Sequence, residues 1–291
     1  MLELFLYSGR IRLKGEMQNM VDIKYLETQA NEIRKWAIKE VYSASSGHIG
    51  GALSISDIVS VLYFNELNVD SKNPMWADRD RFVLSKGHTC AAVYAALAMK
   101  GYFDTDELYK FRNINSFLEG HPALGKIPGI DMSTGSLGQG LSAANGMALA
   151  GKMDNKDYRV YAIIGDGETE EGQIWEAAMT AAHYKLDNLC VFLDDNGLQI
   201  DGRTCVVMNV EPLDEKFEAF GWNVIKIDGH NIKQILDALS EVKQVKGKPS
   251  IVLAKAIKGK GVSFMENQAG WHGKAPNKEE YEKAMSELSN K

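Results

Sequence analysis

Apolar residues recur at spacings of three and four from Ile23 through Leu26, Ala30, Ile33, Ala37 and Val41, which predicts a helix starting near Asp22. Small residues from Ser43 to Gly51 then predict a loop. Short apolar runs predict strands over 81–84, 159–164, 189–193, 222–227 and 250–254. Between them lie helical stretches over 88–99, 139–150, 170–184 and 231–242. Strands alternating with helices of this length indicate βαβ units, so the expected fold is α/β: a doubly wound, mostly parallel sheet flanked by helices. Residues 65–129 read as a loop-rich decoration of that sheet. No repeat or linker divides the chain, so residues 21–291 read as one domain. Residues 1–20 show no clear period and contain Met17 and Met20. They read as an N-terminal extension, with translation expected to begin at one of those methionines.

Composition narrows the class. The 291 residues are 45% hydrophobic and 25% charged, ordinary for a globular chain long enough to bury a large core. A formal net charge of -6 argues against a nucleic-acid partner. No apolar run reaches the length of a membrane helix. The basic residues Arg10, Arg12 and Lys14 follow the apolar start instead of preceding it, the wrong order for a signal peptide, and a cytoplasmic location is expected. Cys90, Cys190 and Cys205 are spread widely, without the spacing of a disulfide framework or a zinc site.

In an open parallel sheet, ligands bind beyond the carboxyl ends of the strands. Four predicted strand ends carry polar or glycine-rich turns: Ser85 to His88, Gly165-Asp166-Gly167, Asp194 to Gly197, and Lys255 to Gly261. Gly165-Asp166-Gly167 sets a carboxylate between two glycines at a helix start, where bare backbone N–H groups suit phosphate. Carboxylate and phosphate repel unless a divalent cation lies between them, and Asn196 on the next strand end offers a further oxygen. A short motif of this kind is usually an ordinary turn. Its pairing with Asn196 across a strand-helix-strand unit resembles the signature of thiamine-diphosphate enzymes.

The resemblance then widens. Ser45-Ser46-Gly47-His48, Ser85-Lys86-Gly87-His88, Gly120-His121-Pro122, the segment Ser133 to Gly140, and Trp271-His272-Gly273 resemble loops of the transketolase family, over roughly residues 22 to 275. The chain is similar to that family's N-terminal, diphosphate-binding (PP) domain, the thiamine-diphosphate-binding fold. The resemblance implies thiamine diphosphate and Mg²⁺ (or Ca²⁺ or Mn²⁺) as cofactors. It implies Asp166, Asn196 and the Leu198 carbonyl as metal ligands. Gly167 and Glu168 are expected to donate backbone N–H groups to the diphosphate. Gly135, Ser136 and Leu137 are expected against the cofactor. His48, His88 and His272 are expected near the thiazolium and the sugar, and His121 at the donor's terminal hydroxyl; His183 and His230 read as structural. Imidazole suits proton transfer near neutral pH.

Other positions keep two readings. Ile200 packs on the cofactor or in the core. Glu171 favours a helix dipole or bonds across a subunit interface. Lys255, Lys258 and Lys260 steer phosphate or form a solvated loop. The side chains of Glu168 and Glu170 are expected to face solvent. Ile49 and Ser136 stand where the family often has proline, which weakens any inference about the substrate.

A full transketolase is much longer. The resemblance implies a separate C-terminal subunit carrying the pyrimidine-binding and C-terminal domains, in an α2β2 heterotetramer. The implied reaction moves a two-carbon ketol unit between sugar phosphates, such as xylulose 5-phosphate and ribose 5-phosphate of the pentose phosphate pathway. The alternatives are a subunit serving a sulfosugar or branched sugar, another thiamine-diphosphate enzyme component, and a non-catalytic cofactor-binding module.

Overall fold

Five short apolar runs pair into a single parallel sheet: β1 (Arg81–Leu84), β2 (Val160–Gly165), β3 (Leu189–Asp195), β4 (Asn223–Asp228) and β5 (Ser250–Lys255). Their order is β1-β2-β3-β5-β4, and every neighbouring pair is parallel. The computed structural model describes residues 21–290, plus the backbone of an antiparallel pairing between Leu6–Tyr7 and Arg10–Ile11. The extension proposed for residues 1–20, and with it the start at Met17 or Met20, otherwise lies outside the described residues.

The three central strands are buried along most of their length because both faces are covered, whereas the edge strand β4 exposes Lys226 and Asp228. Alternation splits their side chains between two cores. Phe82, Leu84, Tyr161, Ile163 and Phe192 point to the first face. It is covered by α1 (Ile23–Ala44), α2 (Ile49–Ser54), α3 (Ser56–Val61) and α4 (Cys90–Met99). Val83, Ala162, Ile164, Val191 and Leu193 point to the second. That face is covered by α5 (Gln139–Met153), α6 (Gly172–His183) and α7 (Leu213–Ala219). Two late helices, α8 (Ile232–Gln244) and α9 (Lys278–Ser289), return to the first face. The steps from β2 to β3 to β4 therefore pass over the second face, and the return from β4 to β5 passes over the first. This reversal opens a crevice beyond the carboxyl ends of the strands. No described helix is long and apolar enough to cross a membrane.

Two expectations change. The small-residue loop is shorter than its composition indicates: α1 ends with Ser45 in the left-handed conformation, and helix resumes at Ile49. Ile49, Ala52 and Leu53 are fully buried, and this burial outweighs the low helix propensity of Gly50 and Gly51. Nor does the region 65–129 decorate the sheet. It supplies the edge strand β1 and the wholly buried body of α4, and its loops send Phe111, Leu118 and Ile127 into the core.

Candidate active site

Each strand end delivers a different group to the crevice. Beyond β1, Lys86 turns inward and is nearly fully buried. Its Nζ lies 2.5 Å from Asp194 Oδ2 at the end of β3. Ser54 Oγ and Asn196 Nδ2 donate to the same carboxylate at 2.7 and 2.8 Å. Burial pushes the Asp194 carboxyl up, but the Lys86 charge and these donors outweigh it and hold it below the usual range. Asp166, at the end of β2, has no such cation. It accepts from the Gly167 and Gly197 N–H groups at 2.8 and 2.6 Å. Burial, with Asp194 nearby, pushes it up to about 7.

The histidines form the opposite wall. His48 caps the start of α2, and His88 sits in a 3₁₀ turn, Gly87–Thr89, ahead of α4. The His48 ring centroid lies 5.2 Å from that of His88, 5.3 Å from His272 and 6.4 Å from His121. His88 and His272 stack at 5.1 Å. Burial and the neighbouring positive charges hold His48 at about 4 and His272 at about 3, and push His88 lower as well. Neutral imidazoles keep one donor and one acceptor nitrogen each, the state required for passing protons. Lys258 Nζ approaches His272 Nδ1 at 2.9 Å and donates to the Leu198 carbonyl at 3.1 Å. A donor at Nδ1 leaves the His272 proton on Nε2.

Lys258 is held in place from below. The Ile257 N–H donates to His230 Nε2 at 2.8 Å, and His230 Nδ1 lies 2.7 Å from Asp57 Oδ2 on α3. Arg34 of α1 braces Asp57 from the other side at 3.2 Å. His230 is thus structural, as expected, and belongs to a strut reaching from α1 to the lysine loop. His183 is exposed on α6.

Between the walls lies a cleft of about 310 Å³. His48, His88, His272, Gly135, Leu137, Asp166, Gly167, Glu168, Asn196, Leu198, Ile200 and Glu171 all line it. His121 stands at its edge, against Gly135. Gly135 has φ +150°, and a Cβ there would lie 2.9 Å from the His121 ring, so glycine is what lets this loop reach the histidines. A wider hollow of about 830 Å³ opens beside the cleft and shares Asn196 and Leu198 with it. It carries mixed charges but none of the four clustered histidines.

Several expected placements need correction. Ser136 is exposed and does not line the cleft; the loop turns it outward while Gly135 and Leu137 face in. Ile200 is 67% exposed, which removes its core reading. The Glu168 side chain does not face solvent: it is 3% exposed. It accepts from Ser85 Oγ, from the Gly138 N–H at 2.9 Å and from the Gly165 N–H at 3.1 Å, tying β1, β2 and the start of α5 together. Glu170 does face solvent. Lys258 is 2% exposed, whereas Lys255 is exposed and paired with Asp195. Sequence reasoning assigned no role to Lys86, although it lies inside the quoted Ser-Lys-Gly-His loop.

The residues present suit a divalent cation and a diphosphate. Among the described residues, no three His, Cys, Asp or Glu side chains converge as a metal site. The donors here are instead one carboxylate (Asp166), one amide oxygen (Asn196) and one main-chain carbonyl (Leu198). This all-oxygen set matches the preference of Mg²⁺ or Ca²⁺. A cation there would neutralise the buried Asp166 carboxylate, which burial and Asp194 push up to about 7. At Gly167 a Cβ would meet only the Gln199 Cβ, at 3.4 Å, so the backbone is open to an approaching oxyanion.

The family profile described as "Transketolase, thiamine diphosphate binding domain" matches residues 26–290. A 6-deoxy-6-sulfo-D-fructose transketolase subunit of Clostridium sp. (strain MSTE9) is 49% identical over 263 residues, 90% of this chain and 96% of that protein. An apulose-4-phosphate transketolase subunit of Phocaeicola vulgatus is 42% identical over 92% of this chain and 95% of its own. Human transketolase is 40% identical over 91% of this chain but only 42% of its own length. The crystal structure of Campylobacter jejuni transketolase superposes with a TM-score of 0.87 at 35% identity, covering 92% of this chain and 43% of that one. The chain thus spans about two fifths of the single-chain proteins it matches and nearly all of the subunits.

Proposed function

The chain belongs to the transketolase family, and from that we propose that it is the N-terminal, thiamine-diphosphate-binding subunit of a two-chain transketolase. The observation that carries this reading is the convergence of four histidines and an all-oxygen donor set on opposite walls of one cleft. The proposed reaction breaks the C2–C3 bond of a ketose, releases the shortened aldose, and joins the two-carbon unit to an acceptor aldehyde.

Thiamine diphosphate, when bound, supplies the carbon nucleophile and the electron sink for this exchange. Asp166, Asn196 and the Leu198 carbonyl would hold the divalent metal that carries its diphosphate, with the Gly167 and Glu168 backbone facing the phosphates. The protein's own chemistry is proton management. A neutral imidazole among His48, His88 and His272 takes the proton of the donor's C3 hydroxyl as the C2–C3 bond breaks. It returns a proton to the acceptor's oxygen as the new bond forms. His121, at the edge, faces the terminal hydroxyl of the two-carbon unit. Lys258 fixes the His272 tautomer and adds positive charge over the cleft.

The remaining half of the site is assigned to a separate C-terminal subunit in a two-plus-two assembly, with Glu171 at the rim reaching across the interface. That assignment is supported by the length match to single subunits. The sugar we favour is an uncommon one, a sulfosugar or branched ketose. The support is the 49% and 42% identity to subunits named for such substrates. Xylulose 5-phosphate and ribose 5-phosphate form the second reading, supported by the 40% identity to human transketolase.

The test is a coupled ketol-transfer assay with thiamine diphosphate and Mg²⁺. It uses this chain alone, the product of the adjacent gene alone, and both together. 6-Deoxy-6-sulfofructose, apulose 4-phosphate and xylulose 5-phosphate serve as donors, with ribose 5-phosphate among the acceptors. Activity only with both chains, and highest with one of the first two donors, is expected. Activity of this chain alone would refute the two-chain reading, and a preference for xylulose 5-phosphate would refute the choice of sugar.

A further inference from the structure

Arg112 has no role in the reading above, yet its backbone is unusual. It adopts φ 59°, the left-handed region, at a residue that is not glycine. Such a conformation is disfavoured for a side chain of this size and persists where surrounding contacts impose it. Here the contacts reach both histidine-bearing turns. Nη1 donates to Ser46 Oγ at 2.5 Å, two residues before His48. The Nε–Nη2 edge of the guanidinium crowds Gly120, next to His121: a Cβ at Gly120 would come within 2.5 Å of Nη2 and 2.7 Å of Cζ. The Arg112 N–H donates to the Leu118 carbonyl at 2.8 Å, closing the loop upon itself. From below, Tyr94 Oη and Cys90 Sγ on α4 donate to the Glu119 and Gly120 carbonyls at 3.0 and 3.3 Å.

We propose that Arg112 is the positioning residue of the histidine wall, its guanidinium clamping the Ser46–His48 turn to the Gly120–His121 turn and so fixing His121 against His48. Arginine is required for geometric reasons. A forked cation sets its Nε–Nη2 edge against a bare glycine and still reaches a hydroxyl with Nη1, which a lysine ammonium does not. The same charge works on the imidazoles. His48 faces Arg112, His121 and Lys258, with His88 and His272 beside it; His121 faces Arg112 and His48. Burial and the Arg112 charge together disfavour protonation of both rings. The Glu119 carboxylate on the same loop is occupied by Lys126.

The inference rests on the ketol-transfer reading only for its activity arm. The first arm is an NMR titration of the histidine ring protons in the whole purified chain, comparing wild type with Arg112→Gln, Arg112→Lys and Gly120→Ala. Arg112→Gln is expected to raise the titration of His48 from about 4 by roughly one pH unit, and to raise His121 too. Arg112→Lys keeps the charge, so His48 is expected to stay low while the ring contact between His48 and His121 is lost. Gly120→Ala displaces the guanidinium without removing it, and is expected to lose the same contact. The second arm is activity with the partner chain: Arg112→Lys is expected to lower kcat at least tenfold with KM within twofold. Unchanged His48 and His121 titrations in Arg112→Gln would overturn the inference. An intact ring contact in Arg112→Lys and Gly120→Ala would overturn it equally, and those two variants decide the matter if Arg112→Gln does not fold. Absence of ketol transfer by the wild-type pair would instead count against the proposed function, leaving the NMR arm to decide the role of Arg112.

Discussion

The two walls of the cleft treat charge in opposite ways. On the histidine wall, burial and nearby cations keep His48, His88 and His272 neutral. On the carboxylate wall, full charges are buried outright, with Lys86 and Asp194 in contact and almost inaccessible to solvent. The difference shows how a single crevice serves two tasks. Rings that pass protons rest here in the neutral form, which leaves each an acceptor nitrogen. A buried carboxylate keeps its charge when a cation is buried against it, as Lys86 is against Asp194, whereas Asp166 is pushed up to about 7. Glu40 on α1 is a foil to both walls. It is fully buried, neither of its carboxylate oxygens has a hydrogen-bond partner, and burial alone pushes it well above the usual carboxylate range.

The largest expected break in this comparison comes from Asp166→Ala. It removes the buried carboxylate proposed to meet the cation and is expected to abolish metal-dependent binding of thiamine diphosphate. Calorimetry with and without Mg²⁺ reads this directly, and unchanged binding would refute the metal assignment. Lys86→Met comes next. It strands Asp194 as an uncompensated buried charge, and breaking such a pair from one side costs about 3–5 kcal/mol. Urea unfolding of the chain should show that loss; a change below about 1 kcal/mol would mean Asp194 finds another partner.

Glu40→Leu is expected to have the smallest effect and the opposite sign. Removing an unsatisfied buried carboxyl should stabilise the chain by about 1–3 kcal/mol at pH 7. The pH dependence sharpens the test. The folded state holds the Glu40 proton to higher pH than the unfolded chain, whose carboxyl ionises near 4.5. The stability of the wild type therefore falls as pH rises above that value, and the advantage of the leucine variant should grow between pH 5 and pH 8. Parallel unfolding curves at the two pH values measure it, and a constant difference would show that Glu40 is partnered after all.

Much of the sheet was legible because its central strands are buried on both faces and so read as apolar runs. Asp166, Asn196 and the histidine loops could be picked out because short motifs carry them, and the fold gathers them around one cleft. What escaped was set by partners far along the chain. Glu168 sits in an acidic stretch with Glu170 and Glu171, and nothing local distinguishes it. Its burial is imposed by Ser85 and the N–H of Gly138, which belong to other elements. Lys258 resembles its neighbours Lys255 and Lys260 until the fold sets it beside His272. The helix at Ile49–Ser54 was hidden by Gly50 and Gly51, whose composition signals a loop.

The strut from Arg34 through Asp57 and His230 to the Ile257 N–H carries one more consequence, for descent. Its members come from α1, α3 and the turn after β4, and each has a charge or a tautomer defined by the next. A change at any one of them leaves the others mismatched inside the protein. Over generations these positions are therefore bound into a single unit of inheritance. A lineage that replaces Arg34 on the first helix is expected to have replaced Asp57 or His230 as well.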